Sequence, residues 1–397
     1  MTEKTIYASV DAMAPEMWDL ARYIYANPEL GHEEFKSCAA VTAAFRRHGF
    51  TVEEGVAGLP TAFKATWGTE GPVIGLLCEY DALPKLGHGC GHHMQAPVML
   101  GAAVAIRENL GEAKARIEIY GTPAEESSGG KLPMDEAGLF NNLDVAFMMH
   151  GGDRTCTDNK NLAMIHLEFV FTGKASHAAV APENGINALS AVLLLFNGIG
   201  FLREHMRQDA RIHGIITDGG VTPNTIPARG AARFYVRAAD RRYRDELAER
   251  VRNIARGASL ATGATLEINT LKICDNKMNT ESLNELLMDE AAKAGAVNIT
   301  GPRKNTGSTD FGCVTYRAPA TCLRACFVPL GMGSHSVAWV EKGVSEEARA
   351  AVMFAAKAIA AASLRLVCES DLLARIREDF ETSRKAYDDV TPETSQG

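Results

Sequence analysis

The sequence predicts an α/β chain: a mostly parallel sheet with helices on both faces, interrupted by a smaller inserted α+β domain. Three observations lead there. Short apolar runs alternate with segments of helical period through the first 150 residues, the pattern of a parallel sheet wrapped by helices. From about Leu162 the order becomes β-α-β-β-α-β, the split arrangement of a ferredoxin-like domain with two helices on one face of four antiparallel strands. After about Asn276 buried-type helices and strands resume, so the larger domain is discontinuous. At 397 residues the chain is long for one compact core. The predicted division is residues 1–162 with 276–397, around an insert of 163–275.

The elements follow in order. Helical periodicity covers 14–25 and 34–48, the second stopping at Gly49. The run 73–78 is continuously apolar, as a strand covered on both faces must be. Residues 96–109 read as a small-residue, buried helix, and 116–120 and 145–149 as further strands. In the insert, 162–172 alternates as a strand, 186–206 is helical, 211–217 and 225–238 are strands, 241–262 is a helix and 265–270 a last strand. Beyond it come a helix at 283–294, a strand at 321–327 and an alanine-rich helix at 346–366. The tail from Cys368 is charged and helical, then polar.

Composition narrows the function. A net charge of −8 leaves no basic footprint, which argues against nucleic acid. No uncharged apolar run has the length that a bilayer requires. The first seventeen residues carry Glu3, Asp11 and Glu16 without an apolar centre, unlike a secretory leader. Nine cysteines, an odd number without framework spacing, read as reduced thiols and a cytoplasmic setting.

The chemistry concentrates in Gly87-His88-Gly89-Cys90-Gly91-His92-His93. Thiolate and imidazole are transition-metal ligands, and the flanking glycines let Cys90 and His92 converge on one point. Three other apolar runs end in, or lead shortly to, the same chemistry: Glu125-Glu126, His150 and His335. In open α/β sheets such groups gather beyond the carboxyl ends of the strands. Of two adjacent glutamates, one can bind metal while the other stays free as general base for hydrolysis of an amide. Taken singly, each residue has a plainer reading. A buried Cys90 is a small hydrophobe, His150 a satisfied core histidine, the glutamates a solvated pair and His335 an exposed loop residue. Only as a set do they predict a metal site. His88 reads as loop support, and His32, His48, His166, His205 and His213 as ordinary surface or packing residues.

The segments Glu79-Tyr80-Asp81-Ala82-Leu83-Pro84, Gly87 to His92, Gly121-Thr122-Pro123-Ala124-Glu125-Glu126 and Gly307-Ser308-Thr309-Asp310-Phe311-Gly312 resemble the amidohydrolase branch of the dinuclear metallopeptidases. That branch includes hippurate hydrolase, the indole-acetyl-amino-acid hydrolases and aminobenzoyl-glutamate hydrolase. The resemblance runs from about Met17 to Leu366. It implies a zinc-exopeptidase-like catalytic domain holding two divalent ions, with zinc the best match to these ligands and manganese or cobalt as alternatives. It implies Cys90 as the bridging ligand, His92, Glu126, His150 and His335 as the others, and Glu125 as acid/base. Asp81 would orient a ligand. His93, where the branch has Asp or Asn, would lie just behind the ligands. The insert would be a lid that also forms a homodimer, with His177 stabilising the oxyanion in the partner's site. Asn224 would contact substrate, and Arg237 would clamp a carboxylate. The implied reaction is metal-dependent cleavage of the amide bond of an N-acyl amino acid or dipeptide. A cysteine amidase using Cys90 as nucleophile, or a non-catalytic binding protein on a hydrolase scaffold, are the alternatives.

Overall fold

The computed structural model describes residues 3–158, 160–303 and 306–389; the polar end of the tail, 390–397, lies outside them. The strands are β1 (Thr51–Glu54), β2 (Phe63–Trp67), β3 (Val73–Cys78), β4 (Arg116–Gly121), β5 (Val145–Gly152), β6 (Cys156–Thr157), β7 (Ala163–Thr172), β8 (Arg211–Asp218), β9 (Arg229–Ala238), β10 (Thr265–Cys274) and β11 (Ala320–Cys326). The helices are α1 (Glu3–Ala26), α2 (Phe35–Arg47), α3 (Gln95–Asn109), α4 (Lys131–Glu136), α5 (Ala188–Leu202), α6 (Arg241–Thr262), α7 (Glu281–Lys293), α8 (Val337–Lys342), α9 (Glu346–Cys368) and α10 (Ser370–Asp389). Two compact units divide the chain. One comprises Met1–Lys160, Lys277–Thr306 and Asp310–Gly397; the other comprises Asn161–Asn276 with Gly307–Thr309, a return that the sequence reading left in the larger domain.

The larger unit is built on a seven-stranded sheet in the order β1-β2-β4-β3-β5-β11-β6. Its centre, β4-β3-β5-β11, is parallel. The β1–β2 pair and β6 run antiparallel at its edges. Alternation along the strands builds a core on each face. Ile74, Leu76, Val145, Phe147 and Met149 pack with α1, α3 and α9, whereas Leu77, Ala146 and Met148 pack with Phe140 and Phe311 on the other side. Both faces being covered explains why these strands read as unbroken apolar runs. Since β4 and β5 flank β3 on opposite sides, the strand order reverses there, the point at which open α/β sheets gather functional groups beyond the strand ends.

α1 starts at Glu3, eleven residues ahead of the predicted start at 14. Pro15 sits inside it, and buried Ile6, Val10 and Met13 continue its inward stripe. The β1–β2 pair lacks the long apolar runs that marked the other strands. α9, capped by the Ser345 side chain, is long and apolar enough on those grounds to cross a bilayer. Lys357 interrupts it, so it is not an uncharged run. In the fold it is a core helix, with buried Ala348, Val352, Ala355, Ile359 and Ala362 among others.

The smaller unit has the strand order β10-β7-β9-β8, every neighbour antiparallel. With α5 and α6 as crossovers this is the ferredoxin-like fold. Ile165, Leu167, Phe169 and Phe171 of β7 meet Ala232, Phe234 and Val236 of β9 in a core roofed by the two helices. The alternate residues, among them His166, Glu168, Tyr235 and Arg237, line the other face of the sheet.

Candidate metal centre

The carboxyl ends of the four parallel strands carry the site, with His335 in the loop after β11. β3 ends at Cys78 and delivers Glu79 and Asp81; β4 ends at Gly121 and delivers Glu125 and Glu126; His150 lies near the end of β5. The Cys90 loop is tight enough for its task because Gly87 and Gly91 take positive φ (77° and 86°), which a side chain resists. The His335 N–H donates to the Gly89 carbonyl at 2.9 Å, tying the last histidine to the cysteine loop. His335 itself sits at φ 64°, and Ala124, just ahead of the glutamates, at φ 62°. Left-handed non-glycine residues at two ligand-bearing turns mark backbone held in place by its surroundings.

Donor atoms converge in two overlapping sets. Cys90, His92 and His150 place theirs within 4.8 Å of one another, and so do Cys90, Glu126 and His335. Cys90 belongs to both sets. Its Sγ lies 3.3 Å from His150 Nε2. A third set joins His92 to Glu125 and Glu126. Asp81 bridges the two sides: Oδ1 accepts from His92 Nδ1 at 2.9 Å, and Oδ2 accepts the Glu126 N–H at 2.8 Å. That carboxylate fixes the His92 tautomer, leaving Nε2 a bare lone pair. His150 does the same through Nδ1, which donates to the Gly151 carbonyl at 2.8 Å.

Two observations test whether a cation fits. His92 Nε2 and Glu126 Oε1 are buried and make no hydrogen bond, although Glu79 and His335 lie 3.2 and 3.3 Å away. Buried polar atoms are normally partnered, and these are the atoms that a metal would take. The field tells the same story. For His92, burial opposes the charged form, yet Cys90, Glu79 and Asp81 outweigh it and push its pKa up. The neighbouring Cys90 and Glu126 raise His335 to about 10. Burial would raise Glu126, but His335 and His92 hold it at about 2. The anions around His92 and His335 thus favour positive charge at this point, as a cation site does. His150 differs: burial and the nearby Arg324 guanidinium press it down to about 3.

Sequence reasoning missed the layer beneath. Lys131, wholly buried, donates to Glu79 Oε1 at 2.5 Å and to Asp310 Oδ1 at 2.6 Å. Glu79, Glu125 and Asp310 form a buried trio of carboxylates beside it, and Gln95 donates to the other Glu79 oxygen at 2.7 Å. Lys131 gives no signal, since a lone lysine after two glycines reads as surface. Glu79 and Asp310 stand within quoted motifs but carry no role there. His93 faces away from the ligands: its Nε2 donates to the Gly343 carbonyl at 2.7 Å, and its ring meets Tyr25 edge-on.

In the smaller unit, His177 and Asn224 are exposed and stand on adjoining segments, joined by a His177–Thr225 bridge and an Ala178 N–H to Asn224 carbonyl bond of 2.9 Å. Arg237 donates to Ser308 Oγ at 2.8 Å and to His213 Nε2 at 3.3 Å, with its guanidinium 5.1 Å over the Tyr235 ring.

Residues 76–361 match the pattern of peptidase family M20/M25/M40, which takes in every donor above. The chain belongs to that family. It is 35% identical to the Xaa-Arg dipeptidase of Homo sapiens over 94% of this chain and 90% of that one. It is 30% identical to a component of the p-aminobenzoyl-glutamate hydrolase of Escherichia coli, covering 94% and 93%. A solved Bacillus subtilis structure, described as a dinuclear metal-binding peptidase of the M20 family, superposes with a TM-score of 0.63 at 20% identity, covering 89% of this chain and 99% of that one. This M20 chain is a hydrolase, and the amidohydrolase resemblance read from its motifs is the family's own.

Proposed function

We propose that the protein is a dinuclear metal-dependent dipeptidase or N-acyl amino acid amidohydrolase. Cys90 would bridge two divalent ions, with His92 and His150 completing one site and Glu126 and His335 the other. The sharing of Cys90 between two donor sets carries this reading. Zinc is the best match to thiolate and imidazole, with manganese or cobalt next. Bound there, the ions would polarise the scissile carbonyl and make water nucleophilic at neutral pH.

The protein's own groups do the rest. Glu125, buried beside the ligands, accepts a proton from the attacking water and hands it to the departing nitrogen. Asp81 holds His92 and the Glu126 backbone in register. His177 donates to the developing oxyanion from the second subunit of a homodimer formed through the smaller unit, which acts as a lid. Asn224 contacts the substrate and Arg237 clamps its carboxylate. Nine free cysteines accord with a reducing, cytoplasmic setting. The names of the two relatives point to dipeptides with a basic second residue and to acyl-glutamates as the first substrates to try.

Two measurements test the reading. Purified protein should carry two divalent ions per chain, and one of those amides should be cleaved. Glu125→Gln should keep both ions while kcat falls about 10²–10⁴-fold. A metal-loaded Glu125→Gln enzyme with wild-type kcat would sink the assigned base, and full turnover in chelator would favour a thiol enzyme built on Cys90.

A further inference from the structure

One buried carboxylate near the site is used by nothing in the mechanism. Glu34 stands at the start of α2 with no exposed surface. Both of its oxygens are engaged. Oε2 accepts from Thr61 Oγ1 at 2.7 Å, and Oε1 accepts the Ala124 N–H at 2.8 Å. Thr61 is itself buried, and its carbonyl takes the Tyr80 hydroxyl. Ala124 is the left-handed residue directly before Glu125, at φ 62°. For a residue with a Cβ, that conformation costs about 1 kcal/mol or more and persists only when its surroundings impose it.

The segment around Glu34 is shaped to the same turn. A Cβ on Gly31 would come within 2.8 Å of Ala124 Cα, so only glycine permits so close an approach. His32 Nε2 pairs with Ser128 Oγ at 2.5 Å. Glu29 binds the first free N–H groups of α2, at Lys36 and Ser37, each at 2.9 Å, and its carbonyl accepts the Ala82 N–H at 2.8 Å. Residues 29–34 therefore brace the loops after both β3 and β4.

We infer that Glu34 is a positioning residue for catalysis: by capturing the Ala124 N–H it holds the strained peptide that aims Glu125. The inference rests on the reading of Glu125 as the proton carrier. Glutamine of the same shape would keep an acceptor for Ala124 and a donor for Thr61. Aspartate, one methylene shorter, would not reach both.

The test uses the metal-loaded enzyme and whichever amide the wild type cleaves. Glu34→Ala and Glu34→Asp should lower kcat about 100-fold, the scale of an ångström-sized misplacement, with KM and metal content held. Glu34→Gln should restore kcat to within about threefold, its carbonyl oxygen replacing the carboxylate as acceptor. Amide hydrogen exchange at Ala124 should quicken at least about tenfold in the Ala and Asp variants but not in the Gln variant. Should Glu34→Ala fail to fold, the Asp and Gln pair decides the matter. Wild-type kcat in Glu34→Asp, beside an inactive Glu125→Gln, would overturn the inference alone. An active Glu125→Gln would overturn it together with the base. Equal losses in the Asp and Gln variants would also overturn it.

Discussion

The two units present their polar side chains under opposite conditions. In the larger unit most of the chemistry, though not the exposed His335, is buried and held by several partners: Glu79 meets Lys131, Gln95 and His92, and Asp81 meets His92 and the Glu126 backbone. In the smaller unit His177 and Asn224 stand exposed on loops, and Arg237 leans on a serine, a histidine and a tyrosine ring at the sheet surface. The first arrangement is preorganised, with geometry set before substrate arrives. The second leaves its side chains open to solvent with few partners. Stripping a buried group of its partner in the larger unit should therefore change folding and turnover together, whereas truncating an exposed side chain in the smaller should change turnover alone.

The largest expected effect is at Lys131. Lys131→Met fills similar space but leaves Glu79 and Asp310 buried without their cation, so the native state should lose about 3–5 kcal/mol. Urea unfolding of the metal-free protein reads this directly, and turnover should fall with it. By contrast His177→Ala should change unfolding by less than about 0.5 kcal/mol, while its kcat falls about 10²–10³-fold if the ring serves the oxyanion. Equal stability losses in the two variants would erase the distinction between the units.

Next comes a dependence on pH. Burial, the largest influence on Glu34, raises its carboxyl from 4.5 to about 7, with the Asp81 charge adding to it; the hydrogen bonds from Thr61 and Ala124 work the other way, and Tyr80 and Cys38 complete its titratable surroundings. The folded state thus holds this proton more tightly than the unfolded chain does. Stability is fully present below about 4.5 and is lost as pH rises towards about 7. The gap corresponds to about 3 kcal/mol. Glu34→Gln removes that slope, so its advantage over wild type in chemical unfolding should be small at pH 4.5 and grow to a plateau near pH 8. A difference independent of pH would place the Glu34 titration elsewhere.

How much of this can be read from residues alone follows the same division. The strand β3 (Val73–Cys78) is legible to the residue because burial on both faces makes it uniformly apolar. The β-α-β-β-α-β order of the smaller unit is plain because alternation and helical period differ strongly there. Donor residue types at strand ends are legible for the same reason that they are rare: Cys90 and His92 between glycines have few other uses. What stays hidden is pairing across long separations. Lys131 binds Asp310 across 179 positions, and Glu34 reaches Ala124 across 90. Neither lysine nor glutamate declares its burial locally; only the folded chain shows that each has partners.

The smallest effect, and the sharpest probe of the exposed unit, is expected at Arg237. Its guanidinium is partly exposed, so replacing it should leave unfolding within about 0.5 kcal/mol of wild type. If it clamps a substrate carboxylate that is bound equally in ground and transition states, Arg237→Ala should raise KM about tenfold with kcat almost unchanged. Lysine should rescue only part of this, since a single ammonium cannot offer two parallel N–H groups or stack as well on Tyr235. An amide of the same substrate's carboxylate should then lose the discrimination, giving similar KM values with wild type and variant. If Arg237→Ala instead lowers kcat and leaves KM alone, the arginine acts on the reacting atoms and the smaller unit is more than a receptive surface.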